Sequence, residues 1–149
     1  MYKDILGNDI FVTVTIMDRD FLIVSLYGPN CDDPEFYAET EKRINDVGFE
    51  NIIGGDWNLV LDYTLDYYNY KHHNNIKAQE QVENLMINLD LLDIWRELYP
   101  EMRRYTWRRN TPLQQSRSIF FFFLISDLLS TFVTNADIKA GYRTAHSTH

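Results

Sequence analysis

One cysteine, Cys31, stands in a chain of 149 residues. No internal disulfide can form, and the chain suits a reducing, intracellular compartment. No apolar run approaches the roughly 20 residues of a membrane-spanning helix, so no membrane partner is expected. The opening "MYKDILGNDI" lacks the apolar core of a secretion signal. Basic residues are scarce: 14 Lys and Arg face 22 Asp and Glu, for a formal charge of −8. That argues against a simple electrostatic nucleic-acid binder, which needs a basic surface. It does not exclude a metal-dependent site, because bound cations neutralise local carboxylates. Internal repeats and low-complexity linkers are also missing. What is abundant is aromatic: 15% of the chain, with nine Phe and ten Tyr. Large rings fill a core with few residues. At 45% hydrophobic and 24% charged, the composition is that of a globular protein. The length supports a single domain, residues 1–149, with a real core and no more.

Strands and helices alternate along the chain, which predicts an α/β or α+β layered sheet. "DIFVTVTI" sets Ile10, Val12, Val14 and Ile16 against Phe11, Thr13 and Thr15, the alternation of a strand. "FLIVSLY" is nearly continuous apolar sequence and predicts a strand covered on both faces. It stops at the turn signal "GPN". "DDPEFYAETEKRIND" predicts a helix: Asp33 can cap, Pro34 suits the first helical position and Glu35 favours the dipole. "ENIIGGD" then reads as a short buried strand. In "KAQEQVENLMINLDLLDIW", Ala78, Val82, Leu85 and Leu89 form one apolar helix face, with Glu80, Glu83 and Asn84 in water. "RRYTWRR" suits a strand and "SIFFFFLIS" a third buried strand. Ser126 would cap a short "DLLS" helix, and "FVTNADIKA" is expected to be a last strand.

Ligand-binding residues in layered α/β sheets tend to lie where strands end. Three such ends carry suitable chemistry: "SLYGPN" with Tyr27 and Asn30, "GGDWN" with Asp56 and Asn58, and "GYRTAHS" with His146. The glycines of "GGDWN" allow close backbone approach. Asp56 can accept a proton from water, and Asn58 can donate to a phosphate oxygen. His146 can donate to the same phosphate and stabilise developing charge. Each string also has a plainer reading. "GGDWN" can be a tight acidic turn, and a histidine near the end of a chain is usually surface. "KHHNN" lacks the spacing of a preformed metal site, so His72 and His73 are expected in solvent. "IFFFFLI" suits a core better than a stacking platform. "YTWRRN" places Tyr105 and Trp107 among Arg103, Arg104, Arg108 and Arg109. It can stack on bases and hold phosphates, or be a solvated charged hairpin.

Taken in order, "SLYGPN", "GGDWN", "LDLLDIWRELYP", "RRYTWRR", "QQSR", "FFLIS" and "GYRTAHS" resemble the endonuclease/exonuclease/phosphatase superfamily. More narrowly, they resemble the apurinic-type endonuclease domain of non-LTR (LINE-type) retrotransposons. The resemblance runs from about Phe11 to the end. It implies a four-layer αββα sandwich of the DNase I-like type, with helices outside two facing sheets. It also implies Mg²⁺-dependent hydrolysis of DNA phosphodiesters, which nicks the target for reverse transcription. By that resemblance Asp56 orients or deprotonates the attacking water, and Asn58 is its partner on the phosphate. Tyr27 matches the active-site tyrosine, beside Asn30, and His146 matches the histidine on the scissile phosphate. Arg117 and Trp107 lie where the family places residues close to DNA.

The departures from that pattern set a second expectation. "SRSIFFFFLIS" is longer than the family's counterpart, and no acid occurs between Arg117 and Asp127. The family's closing Asp-His is Ala145-His146 here, which removes the acid that orients the imidazole. Loss of such an orienting acid costs up to thousands-fold in related acid–His arrangements. The family's metal-binding Asn and Glu come from strands preceding this sequence, and a further strand usually follows the histidine. Mg²⁺ needs carboxylate help and near-octahedral oxygen geometry, so Asp56 alone is a poor metal site. The expectation is therefore a truncated, degenerate endonuclease-like domain with little or no catalysis and no metal-ligand set of its own. DNA is its partner by resemblance, weakened by the charge, and uncovered sheet surface would promote self-association. A non-catalytic interaction module, or a genomic remnant that keeps the fold, is the alternative.

Overall fold

A computed structural model describes residues 2–3, 8–69, 75–105, 107–110, 113–116 and 122–138. Its elements are β1 (Tyr2–Lys3), β2 (Asp9–Ile16), β3 (Arg19–Tyr27), α1 (Pro34–Val47), β4 (Glu50–Asp56), α2 (Tyr63–Asp66), β5 (Tyr67–Tyr68) and α3 (Ile76–Asn88). There follow β6 (Leu91–Asp93), α4 (Ile94–Leu98), β7 (Trp107–Asn110), β8 (Leu113–Ser116), β9 (Phe122–Ser126) and α5 (Asp127–Ser130). The expected α/β class is borne out.

β2 and β3 form a hairpin whose two-residue turn, Met17 and Asp18, has φ of 51° and 59°. Positive φ at both central residues is the turn geometry that matches strand twist. The chain then crosses through α1 to β4, which lies parallel to β3. β9 and β6 add antiparallel strands, giving the order β1-β2-β3-β4-β9-β6. A separate three-stranded sheet has the order β5-β8-β7.

One face of the large sheet carries the main core. Leu22, Val24, Leu26, Ile53 and Leu124 pack there with Tyr37 and Ile44 of α1 and with Ala78, Val82 and Leu85 of α3. α1 starts as its sequence predicts: Asp33 accepts from the Phe36 amide at 3.4 Å, and Pro34 opens the first turn. It ends at Gly48, whose φ of 70° suits a residue without a Cβ. Asp32 accepts from the Ala78 amide at 2.8 Å and so caps α3 from a distant loop. The predicted stripe of α3 is found at Ala78, Val82 and Leu85, with Glu80, Glu83 and Asn84 exposed.

Four expectations need correction. β3 is not covered on both faces: Leu22, Val24 and Leu26 are buried, while Ile23 and Tyr27 are 39% and 52% exposed. β2 is a strand, as its alternation predicts. Phe11 is buried beneath α1 and α3, whereas Ile10 and Ile16 point to the opposite, open face. Period-2 patterning marks a strand but not which of its two faces is covered. α3 stops at Asn88 rather than running to Trp95, because Asp90 turns at φ 47° and Leu91–Asp93 pair with β9. Finally, residues 132–138, the described part of the expected last strand, are turn and irregular chain. Polar side chains hold them there, Tyr99 donating to Asn135 at 3.1 Å and Arg104 pairing with Asp137 at 3.2 Å. Ser126 precedes α5 but makes no capping bond; its hydroxyl accepts from the Asn51 amide at 2.8 Å instead.

Candidate active site

β3 and β4 run parallel, so their carboxyl ends emerge side by side, where open α/β sheets bind ligands. The register pairs Tyr27 with Asp56 at the last rung. The Gly28 amide donates to the Asp56 carbonyl at 2.6 Å and carries the ladder one residue beyond the strands. Two expected site residues are thus brought together by the strand register alone. Asn30, three residues on, is exposed at the same end.

The two glycines before Asp56 serve packing. Gly55 has φ 150°, and a Cβ there would collide with the Leu26 carbonyl. A Cβ on Gly54 would strike the Phe123 ring. The close backbone approach expected from "GG" is real, but it admits a neighbouring strand and a ring rather than a ligand.

Asp56 is 6% exposed. Its Oδ1 accepts from the Asn58 amide at 3.1 Å. Burial pushes the carboxyl up to about 6, against the smaller opposing effect of that hydrogen bond. A carboxylate of this kind can take a proton from water near neutrality. Asn58 sits at φ 50°, a left-handed conformation that asparagine tolerates better than most residues. Its Nδ2 donates to the Gly28 carbonyl, and its own carbonyl accepts from Asn75 Nδ2 at 3.2 Å. The side-chain amide nitrogen that the resemblance assigns to phosphate is therefore a brace between the two strand ends.

Trp57, between them, is fully buried. It stacks on Phe122 at 4.9 Å and 9°, and its Nε1 donates to the Phe122 carbonyl at 3.1 Å. Tyr37 stacks on its other side at 6.1 Å and 7° and donates its hydroxyl to the Trp57 carbonyl. Sequence reasoning missed Tyr37. The signal was available in the i, i+3, i+7 spacing of Tyr37, Thr40 and Ile44, which marks the buried face of α1.

Trp107 opens β7 opposite Ser116; its side chain, like Arg117, His146 and Ala145, lies outside the described residues, as do His72 and His73. Among the described residues no group of three or more His, Cys, Asp or Glu side chains is placed to hold a metal ion. Asp56 on its own does not make a Mg²⁺ cage, so the described residues do not fit one. Among the same residues no helix is long and apolar enough to cross a membrane.

No protein-family model matches the sequence. Solved structures do match the fold. An AP endonuclease from Leishmania major superposes with a TM-score of 0.69 at 15% identity, over 85% of this chain and 48% of that one. The 3′ phosphatase NExo from Neisseria, bound to a product DNA hairpin, gives 0.60 at 19%, over 81% and 54%. The endonuclease domain of TRAS1, a telomere-specific non-LTR retrotransposon, gives 0.58 at 20%, over 83% and 52%. The chain has the fold these nucleases share. The relation expected from its ordered motifs is borne out at that level. The chain spans about half the length of the structures it matches.

Proposed function

We propose that this chain is an endonuclease-like domain of retrotransposon origin. Its ancestral reaction is Mg²⁺-dependent hydrolysis of DNA phosphodiesters, and it has little or no catalysis of its own. One observation carries the reading: the parallel β3–β4 register sets Tyr27 beside a buried Asp56 whose carboxyl is raised to about 6. That is the environment of a group meant to handle a proton. The likeness to nucleases that include a retrotransposon endonuclease domain supports the substrate class. The missing metal cage among the described residues and Ala145 in place of an acid support the loss of activity.

The test is plasmid nicking with Mg²⁺ and with Mn²⁺, comparing this chain with Asp56→Ala. Neither protein is expected to nick above background. Nicking by the parent that Asp56→Ala abolishes would overturn the inactive reading. A second reading, a non-catalytic module that binds protein, is favoured by the open sheet face at Ile10, Ile23 and Phe123 and by the charge of −8.

A further inference from the structure

Two strand ends and a side chain from α1 meet at Gly28. Its amide donates to the Asp56 carbonyl, its carbonyl accepts from Asn58 Nδ2, and a Cβ on it would collide with the Tyr37 hydroxyl and the Trp57 carbonyl. The residue that closes this knot comes from neither strand end. Tyr37 lies on α1, is 1% exposed, and reaches across to the carbonyl of the residue between Asp56 and Asn58.

We propose that Tyr37 is a positioning residue: its buried hydroxyl, seated over Gly28 and donating to the Trp57 carbonyl, locks the two strand ends into one rigid unit. The proposal rests on the reading of these strand ends as the site, and it names what holds Asp56 in place. Stacking on Trp57 fixes where the Tyr37 ring lies. The hydroxyl then satisfies a buried carbonyl that would otherwise be costly to leave unpaired. Burial, and next the charge of Asp56, raise the Tyr37 hydroxyl well above the usual phenol range, so it stays a donor at every working pH.

The experiment compares Tyr37→Phe with Thr40→Val. Each removes one buried hydroxyl from α1. Thr40, however, donates only to the Phe36 carbonyl within its own helix. Two quantities are read: amide exchange of the peptide containing Gly28, relative to the central residues of β3, and the titration midpoint of Asp56 from carboxyl ¹³C shifts. Tyr37→Phe is expected to speed Gly28 exchange about tenfold beyond any change in β3. It should also move the Asp56 midpoint from about 6 toward the ordinary 3.8, as water reaches the carboxyl. Thr40→Val should leave both unchanged. Equal effects in the two variants, or no effect in Tyr37→Phe, would overturn the proposal. If Tyr37→Phe does not fold, the parent's Tyr37 hydroxyl proton is observed directly. A slowly exchanging resonance with a nuclear Overhauser contact to the Gly28 amide supports the latch, and a fast-exchanging one refutes it. None of these readouts depends on nicking, so an inactive chain leaves them standing.

Discussion

Replacing Asp56 with asparagine should stabilise the fold above neutrality and do nothing in acid. The carboxyl is raised from 3.8 to about 6, chiefly by burial. The folded state therefore binds its proton more tightly than the unfolded chain. Stabilisation by that proton is fully present below pH 3.8 and is lost as the pH rises through about 6. A shift of roughly two units corresponds to about 3 kcal/mol at full value. Local relaxation reduces what a buried charge costs, so about 1–2 kcal/mol is the working figure. Asparagine keeps the shape and the oxygen that accepts from the Asn58 amide. For a chain of this length that translates to a melting point higher by roughly 2–8 °C at pH 8. The assay is a series of thermal melts of the parent and Asp56→Asn from pH 4 to pH 8. Other groups titrate alike in both proteins, so the difference isolates this carboxyl. A variant that is less stable at pH 8, or a gap that stays constant with pH, would refute the placement of Asp56 in a desolvated pocket.

Other expectations are more compact. Leu85→Ala removes a fully buried side chain of α3 and should cost about 2–5 kcal/mol by urea titration, while the exposed Glu83→Ala should be nearly silent. Similar costs would mean that α3 presents a different face to the sheet. Ile10, Ile23 and Phe123 share one open face of the large sheet, so the parent should self-associate in sedimentation as concentration rises, and Ile23→Thr should weaken that association. A monodisperse monomer with a single cooperative melt counts against it. Ala145→Asp alone should not restore plasmid nicking, because groups that act as one catalytic unit are not recovered singly; measurable nicking by that variant would show that a metal is being held after all.

Much of the fold was legible because its signals are local. Asp33 and Pro34 announced the start of α1, and the spacing of Ala78, Val82 and Leu85 announced the buried face of α3. The errors arose where a local pattern had two structural meanings. "LDLLDIW" continues a helical apolar count, yet Asp90 enters the left-handed region and the next residues pair with β9. "FLIVSLY" is apolar on both sides, but an apolar side chain does not reveal whether anything covers it. "FVTNADIKA" has strand-forming residues, yet Asn135 and Asp137 are engaged by Tyr99 and Arg104. The pairing of Tyr27 with Asp56 was legible only as two strand ends with suitable chemistry. Their adjacency follows from a parallel register between segments nearly thirty residues apart, which no local signal encodes. The burial of Tyr37 was legible in its spacing with Thr40 and Ile44, but its partner was not, because a backbone carbonyl has no sequence signature.

The stretch "GGDWN" can therefore be divided by what each residue does for the fold. Gly55 is required by its φ and by the Leu26 carbonyl, and Gly54 by the Phe123 ring. Trp57 fills the core between Tyr37 and Phe122. Asn58 tolerates a left-handed backbone and braces Gly28. All four have a structural role that would hold in a protein with no chemistry whatever. Asp56 differs: its side chain accepts one hydrogen bond from within its own turn, and its desolvated charge opposes folding near neutral pH. The motif's presence says little about activity, because most of it is core. The cost of the Asp56 charge says more, because strain of this kind is what a working site imposes on its scaffold. In this chain that cost is still carried, while the described residues supply no metal cage to use the carboxylate. Function is thus tested most sharply at this one side chain: Asp56→Asn separates what the strand end contributes to chemistry from what it contributes to the core.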